Sequence, residues 1–168
     1  MGTRSTIALE FADGTVEQVY CHWDGYLEHN GKILQEHYSD PFKLRDLIDQ
    51  GGISSLGKSI GKKHPFSPAY NETDALKRAK IQTEIDLANE AGYTTFYARD
   101  RGEDISINKF KDYEHFLIDG QWEEYDYILR SDNGVAVWFV SDHDGDFVTL
   151  ESAILDQQDR IAQEETAY

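Results

Sequence analysis

The segment RSTIALEFADGTVEQVYCHWDGY, residues 4–26, constrains the fold more than any other part of the chain. An Asp13-Gly14 pair between two alternating stretches is a strong hairpin signal, because the tightest turns need left-handed backbone that few other residues tolerate. A two-residue loop there sets Arg4 opposite Trp23, Ser5 opposite His22 and Thr6 opposite Cys21. The strands are expected at about Thr6–Phe11 and Val16–His22. Ile7, Leu9, Phe11, Val16 and Tyr20 form the core face. In this register Glu10 meets Glu17 on the other face, where two like charges stay out of the core.

Leu27–Tyr38 reads as a helix with Leu27, Asn30, Leu34 and His37 or Tyr38 near one face, weakened at Gly31. Asp40-Pro41 supplies an N-cap and a first-turn proline for a second helix, which carries Phe42, Leu44, Leu47 and Ile48 and stops at Gly51-Gly52. Residues 51–72 read as a loop whose KSIGKKH is the one basic run of an acidic chain. Thr73 or Asp74 opens a long helix to Ala91, ended by Gly92. Tyr93–Ala98 alternates as a strand before the turn RDRGED. Ile105–Ile107 is a short strand and Asp112–Ile118 a short helix.

A second hairpin, WEEYDYILRSDNGVAVWFV, turns at Asn133-Gly134. It pairs Leu129 with Trp138, Ile128 with Phe139 and Tyr127 with Val140, and is apolar on both faces, as central strands are. An acidic tail carries a helix from Leu150 to Gln163. The whole predicts an α+β fold: a mixed, mainly antiparallel sheet of about four to six strands built on two hairpins, with three or four helices. Residues 1–150 form that single domain and residues 151–168 an acidic C-terminal helix or tail.

The formal charge is -16, from 32 Asp and Glu against 16 Lys and Arg. Such a surface repels phosphate backbone, so direct nucleic-acid binding is not expected. It suits solubility by repulsion, a basic protein partner, or mimicry of nucleic acid. Cys21 is the single cysteine, so no intramolecular disulfide forms. No apolar run reaches membrane-spanning length, and MGTRSTIALEF lacks the order of a secretion signal. A cytoplasmic protein without membrane contact is expected.

Two segments carry candidate chemistry. In CHWDGY, His22 and Asp24 share a face if the strand continues, and a carboxylate beside an imidazole fixes its tautomer and raises its basicity. Arg4 can stack on Trp23 instead, and in the blandest use Asp24 simply caps the next helix. In YARDRGE, Arg99 and Arg101 flank Asp100 and on a strand share a face, a fork suited to phosphate or carboxylate. Ion pairing with nearby acids is the simpler use. If that strand lay beside the first hairpin, one ligand pocket would gather Arg4, His22, Trp23, Asp24, Tyr26, Tyr97, Arg99 and Arg101.

No metal or cofactor is expected and no catalytic residue is assigned. Cys21, His22, His29 and His37 lack metal-ligand spacing. Asp142, Asp144 and Asp146 look like a calcium loop, but Phe147 and Ala153 stand where glycine and the bidentate Glu are needed. Gly57-Lys58-Ser59 lacks the upstream glycine spacing of a phosphate loop and follows a helix.

The opening RSTIALEFADGTVEQVYCHWDGYLEHNGKILQEHY, the SSLG of Ser54–Gly57, YARDRGE, and the EEYDYIL of Glu123–Leu129 together resemble an uncharacterised family of short proteins encoded by bacteriophages, prophages and bacteria. Residues 62–92 and the acidic tail fall outside the resemblance. It implies a phage setting, hence the host cytoplasm, and transfers no activity. A small acidic phage protein is expected to bind and inhibit a host defence or regulatory protein through an acidic, nucleic-acid-mimicking surface. Two other uses fit the residues. One is sequestration of a small phosphorylated nucleotide by Arg4, His22, Arg99 and Arg101. The other is a small hydrolase with His22 and Asp24 as its acid–base pair. None of these sets an oligomeric state.

Overall fold

The first hairpin forms one residue out of the expected register. β1 (Ser5–Glu10) and β2 (Val16–Cys21) pair Ser5 with Cys21, Ile7 with Val19 and Glu10 with Val16. Phe11 and Thr15 close a three-residue loop, the Phe11 amide donating to the Thr15 carbonyl at 2.8 Å. Gly14 is left-handed at φ 90°, as a type I turn followed by one left-handed residue requires. Asp13 favours this longer loop, because its carboxylate accepts from the Thr15 amide at 2.9 Å and the Thr15 hydroxyl at 2.6 Å. A slip of one residue reverses every side chain of a strand. Val19 and Cys21, not Val16 and Tyr20, therefore join Ile7 and Leu9 in the main core. Glu10 does not meet Glu17. It accepts from Arg130 Nε at 3.1 Å, and Glu17 lies 3.7 Å from Lys109.

The computed structural model describes residues 2–66, 69–120, 123–142 and 146–166. Asp144 of the calcium-like segment and Trp122 at the head of the second-hairpin segment lie outside the described residues. Among those described, one sheet holds eight strands and six α-helices surround it, more than the sequence pattern predicts. The additions are short: β3 (Ile53–Ser55), β4 (Thr95–Phe96), β5 (Asn108–Phe110) and β8 (Val148–Thr149). Pieces of two or three residues carry no alternation that a pattern can reveal.

The second hairpin, β6 (Tyr125–Asp132) and β7 (Val135–Asp142), has the expected register, with Leu129 against Trp138 and Tyr127 against Val140. The strand order is β4-β3-β2-β1-β6-β7-β8, with β5 pairing β2. β1 and β6 run parallel, which makes the sheet mixed.

The expected helix at Leu27–Tyr38 comes in two parts, a wide π-helical turn at Leu27–Gly31 and α1 (Lys32–His37). Gly31 is buried there, and a Cβ on it would lie 3.4 Å from Leu150 and from the Tyr127 hydroxyl. α2 (Pro41–Asp49) is capped by Asp40, which accepts from the Phe42 amide at 3.0 Å. α3 (Ala75–Ala91) starts at the cap Asp74 and stops at Gly92. α5 (Tyr113–Asp119) is capped by Asp112, and α6 spans Leu150–Thr166.

Leu34 and Tyr38, then Leu44, Leu47 and Ile48, and finally Leu150 and Ile154 bring α1, α2 and α6 onto one face of the sheet. Each fully buried Leu or Ile there contributes about 1.5–3 kcal/mol. On the other face a smaller core of Ala8, Val16, Phe110, Phe116 and Ile128 lies against α5. β6 thus feeds both cores, Tyr127 and Leu129 into one and Ile128 into the other.

The strand expected at Tyr93–Ala98 shrinks to Thr95–Phe96, and the YARDR that follows coils into α4 (Tyr97–Arg101). Asp100 drives the change by folding back to accept from the Phe96 amide at 2.8 Å. Arg99 and Arg101 therefore do not share a strand face, and Asp100 points inward. The strand expected at Ile105–Ile107 lies three residues later, at Asn108–Phe110.

Candidate functional site

Past Cys21 the chain runs beside β3 without continuing β2. The His22 and Trp23 amides each donate at 3.0 Å, to the Ile53 and Ser54 carbonyls. Asp24 then turns left-handed at φ 57°. The Gly25 amide meets the Thr3 carbonyl at 2.7 Å, and the Asn30 amide meets the Asp24 carbonyl at 3.2 Å. CHWDGY is thereby wrapped around Asn30, which is fully buried. The Asn30 amide group donates to Ser5 Oγ and Cys21 Sγ, both at 3.3 Å, and to the Trp23 carbonyl at 3.4 Å. Its Oδ1 lies 2.8 Å from His29 Nδ1. The sequence pattern places Asn30 on the helix's apolar face without giving it this task. The signal was its polarity among buried neighbours, since a buried amide must find partners.

Cys21 is also fully buried, and burial pushes its thiol up to about 11. It is a protonated core residue near neutral pH, not a nucleophile. Burial likewise raises the phenols of Tyr20, Tyr38, Tyr97, Tyr113, Tyr125 and Tyr127. All of these groups hold their protons in the folded chain at a pH where the unfolded chain has begun to lose them. Above about pH 9 the unfolded state therefore binds fewer protons, and stability falls as pH rises. Urea midpoints should hold from about pH 7 to 8.5 and decline steadily between about 9 and 11; a flat profile over that upper range would contradict the burial of these groups.

The sequence-derived ligand residues divide into three sets. The first lies at the open end of the hairpin. Tyr20 Oη and His22 Nδ1 are 2.6 Å apart, and Trp23 meets the His22 ring edge-on at 4.6 Å. Burial dominates the upward shift of Tyr20, with Arg4 opposing it and Glu123 and Tyr97 adding to it. Tyr97 is also raised first by burial, and its hydrogen bond to Ser54 and the charge of Arg101 act against that. Tyr20 thus feels Arg4 and Tyr97 and bonds His22, while Arg101 acts on Tyr97. Arg101 is exposed, paired with Glu103 at 3.3 Å and set over the Phe66 ring at 5.1 Å.

The second set is Asp24 with Tyr26. Asp24 lines a separate cleft of about 410 Å³ with His29, Lys58 and Glu90, and its charge is the main cause that raises the Tyr26 phenol. The His22 imidazole therefore bonds Tyr20 instead of Asp24, because Asp24 turns left-handed just where a shared face needed extended backbone.

Arg99 forms the third set alone, and all five of its N–H donors are engaged. Nε and Nη2 meet Asp100 at 3.0 and 3.2 Å, Nη1 meets the Ile60 and Gly61 carbonyls at 3.0 and 3.1 Å, and Nη2 also meets the Thr94 carbonyl at 2.9 Å. Asp100 further accepts from the His64 amide at 3.1 Å. This node straps the basic loop to β4.

Carboxylates gather around Tyr125 at the start of β6, where its amide donates to the Arg4 carbonyl at 3.4 Å. Burial raises Tyr125 first, and Asp142, Glu28 and Glu124 push it further, against Arg160 alone. α6 brings Arg160, its one basic residue, toward Tyr125, and it leaves Glu151, Asp156, Asp159, Glu164 and Glu165 exposed. No helix among the described residues is long and apolar enough to cross a membrane. Comparison of the chain with family models, with curated proteins and with solved structures gives no match.

Proposed function

We propose that this chain is a binding protein that occupies the basic, nucleic-acid-binding face of another protein with its own carboxylates. One observation carries the reading: Glu28 of the π-helical turn and Asp142 of β7 join Glu124, the neighbour of Tyr125, in acting on that ring, and α6 adds an exposed acidic length to the same acidic chain. An anionic patch with an aromatic within it offers charge for steering and a ring for contact. Given the resemblance to phage-encoded proteins, the expected target is a host defence or regulatory component, and the outcome is inhibition.

The test uses the intact chain as bait in bacterial lysate over a salt series. Capture of a nucleic-acid-binding protein at low salt, released as salt rises and displaced by nucleic acid, supports the reading. Neutralising Glu28, Glu124 and Asp142 together should slow association with that protein about tenfold. Neutralising Asp46 and Asp49 on α2 should change it far less. Retention of no host protein at low salt would sink the idea.

A second reading rests on the coupling of Tyr20 and Tyr97, flanked by Arg4 and Arg101. It is sequestration of a small phosphorylated nucleotide by Arg4, His22, Tyr97 and Arg101, without Arg99. Thermal-shift assays with cyclic nucleotides and ADP-ribose derivatives separate it from the first, and an unchanged melting temperature with all of them argues against it.

A further inference from the structure

We propose that the chain pairs with a second copy of itself through α3, the two helices lying antiparallel about a two-fold axis near Thr83. The proposal stands apart from the acidic patch and does not depend on it. α3 has 17 residues, of which only Ala88 is buried. Ile81 and Ile85 lean partly inward on the same side as Ala88, while the opposite side carries Leu76 and Leu87, 84% and 60% exposed. Ala79 and Thr83 fall between those leucines at helical spacing, which makes a continuous stripe. A helix of this length is marginal in water unless a face is packed against something. Among the described residues, the body of the chain buries only Ala88 of it.

The charges name the occupant. Lys77, Arg78 and Lys80 lie in the first half of α3, and Glu84, Asp86 and Glu90 in the second. This order runs against the helix dipole, which favours acids first and bases last. Lys80 and Glu84 also stand in the weaker of the two i, i+4 orders. Among the described residues, Lys77, Lys80, Glu84 and Glu90 form no ion pair within the chain.

An antiparallel second α3 sets each basic half along an acidic half, with Lys80 of one copy near Glu84 of the other. A parallel arrangement would set like charges together. Such an interface is isologous and closes as a dimer. It brings Leu76 and the adjacent Tyr70, itself largely exposed, toward the far end of the facing helix. There a cleft of about 650 Å³ lies between α3 and the basic loop, lined by Lys62, Lys63, His64, Leu87 and Tyr93 among others.

Sedimentation velocity on the intact chain over a wide dilution series is the test. The expected result is a dimer whose fraction rises with concentration and falls with salt. Leu87→Asp should leave a monomer at every concentration, with an unchanged circular dichroism spectrum because the residue is exposed. Lys77→Glu with Lys80→Glu should be monomeric, as should Glu84→Lys with Glu90→Lys, and an equimolar mixture of the two should form heterodimers. That mixing step decides the matter even if Leu87→Asp disturbs folding. A wild-type chain that stays monomeric, or a dimer that survives all three changes, overturns the proposal.

Discussion

Replacing Asp100 with alanine is expected to destabilise the fold by about 3–5 kcal/mol, the range for breaking a buried ion pair by removing one partner. The Asp100 side chain is 0% exposed and that of Arg99 16%. The carboxylate accepts from two backbone amides, His64 and Phe96, as well as from Arg99. Its loss leaves a guanidinium with little water and two amides without their acceptor. Arg99 also holds the Ile60, Gly61 and Thr94 carbonyls, so the basic loop should loosen from β4 at the same time. Urea unfolding of Asp100→Ala, Arg99→Ala and the double variant forms a cycle in which the double change costs less than the sum of the singles. Arg101→Ala, at an exposed pair, should shift stability by no more than about 0.5 kcal/mol. A loss below about 1 kcal/mol for Asp100→Ala would mean the strap contributes little.

Tyr127→Ala should be comparably severe, about 3–5 kcal/mol, as for other large aromatics deleted from a packed core. Tyr127 is fully buried and sits in β6 beside Ile7 of β1 and opposite Val140 of β7. Its hydroxyl donates to the Gly25 carbonyl at 2.6 Å, which ties the second hairpin to the turn of CHWDGY. Tyr127→Phe keeps the ring and removes only that bond, for an expected loss of about 1–1.5 kcal/mol. The two variants differ in one further respect. Amide exchange at Gly25 and Asn30 should quicken in Tyr127→Phe while the centre of β6 stays protected. Equal unfolding midpoints for Tyr127→Ala and wild type would contradict the packing described for the main core.

The parts of this fold legible in advance are those specified within a few residues. Asp40 and Asp74 cap their helices through their own carboxylates, and Gly92 ends α3 because the backbone there is left-handed. Asn133-Gly134 sets the second hairpin's register because that two-residue turn matches the twist of its strands. Asp13-Gly14 carries the same local signal and yields a different loop. Thr15 holds the Asp13 carboxylate, and a third residue enters the turn. One extra loop residue then moved Val19 and Cys21 inward and Tyr20 outward. Beside Tyr20, the Trp23, Arg4 and His22 side chains took up places the expected pairing had not assigned.

The arrangement of the candidate residues was not legible in the sequence. Arg4 and Tyr97 both act on Tyr20, which bonds His22, and Arg101 acts on Tyr97, but Arg99 is drawn into a strap and Asp24 into another cleft. These outcomes depend on the Ile60 and Gly61 carbonyls, far along the chain from Arg99, and on the left-handed turn at Asp24. Short-range sequence determined the α+β class, the caps, the second hairpin and the acidic charge, because each follows from neighbouring dihedrals or from composition. Tertiary structure alone decided which arginine was drawn into the strap, what Asn30 bonds, which carboxylates act on Tyr125 and how much of α3 stands exposed. Each of those is a contact between groups distant in sequence, and no local periodicity encodes it.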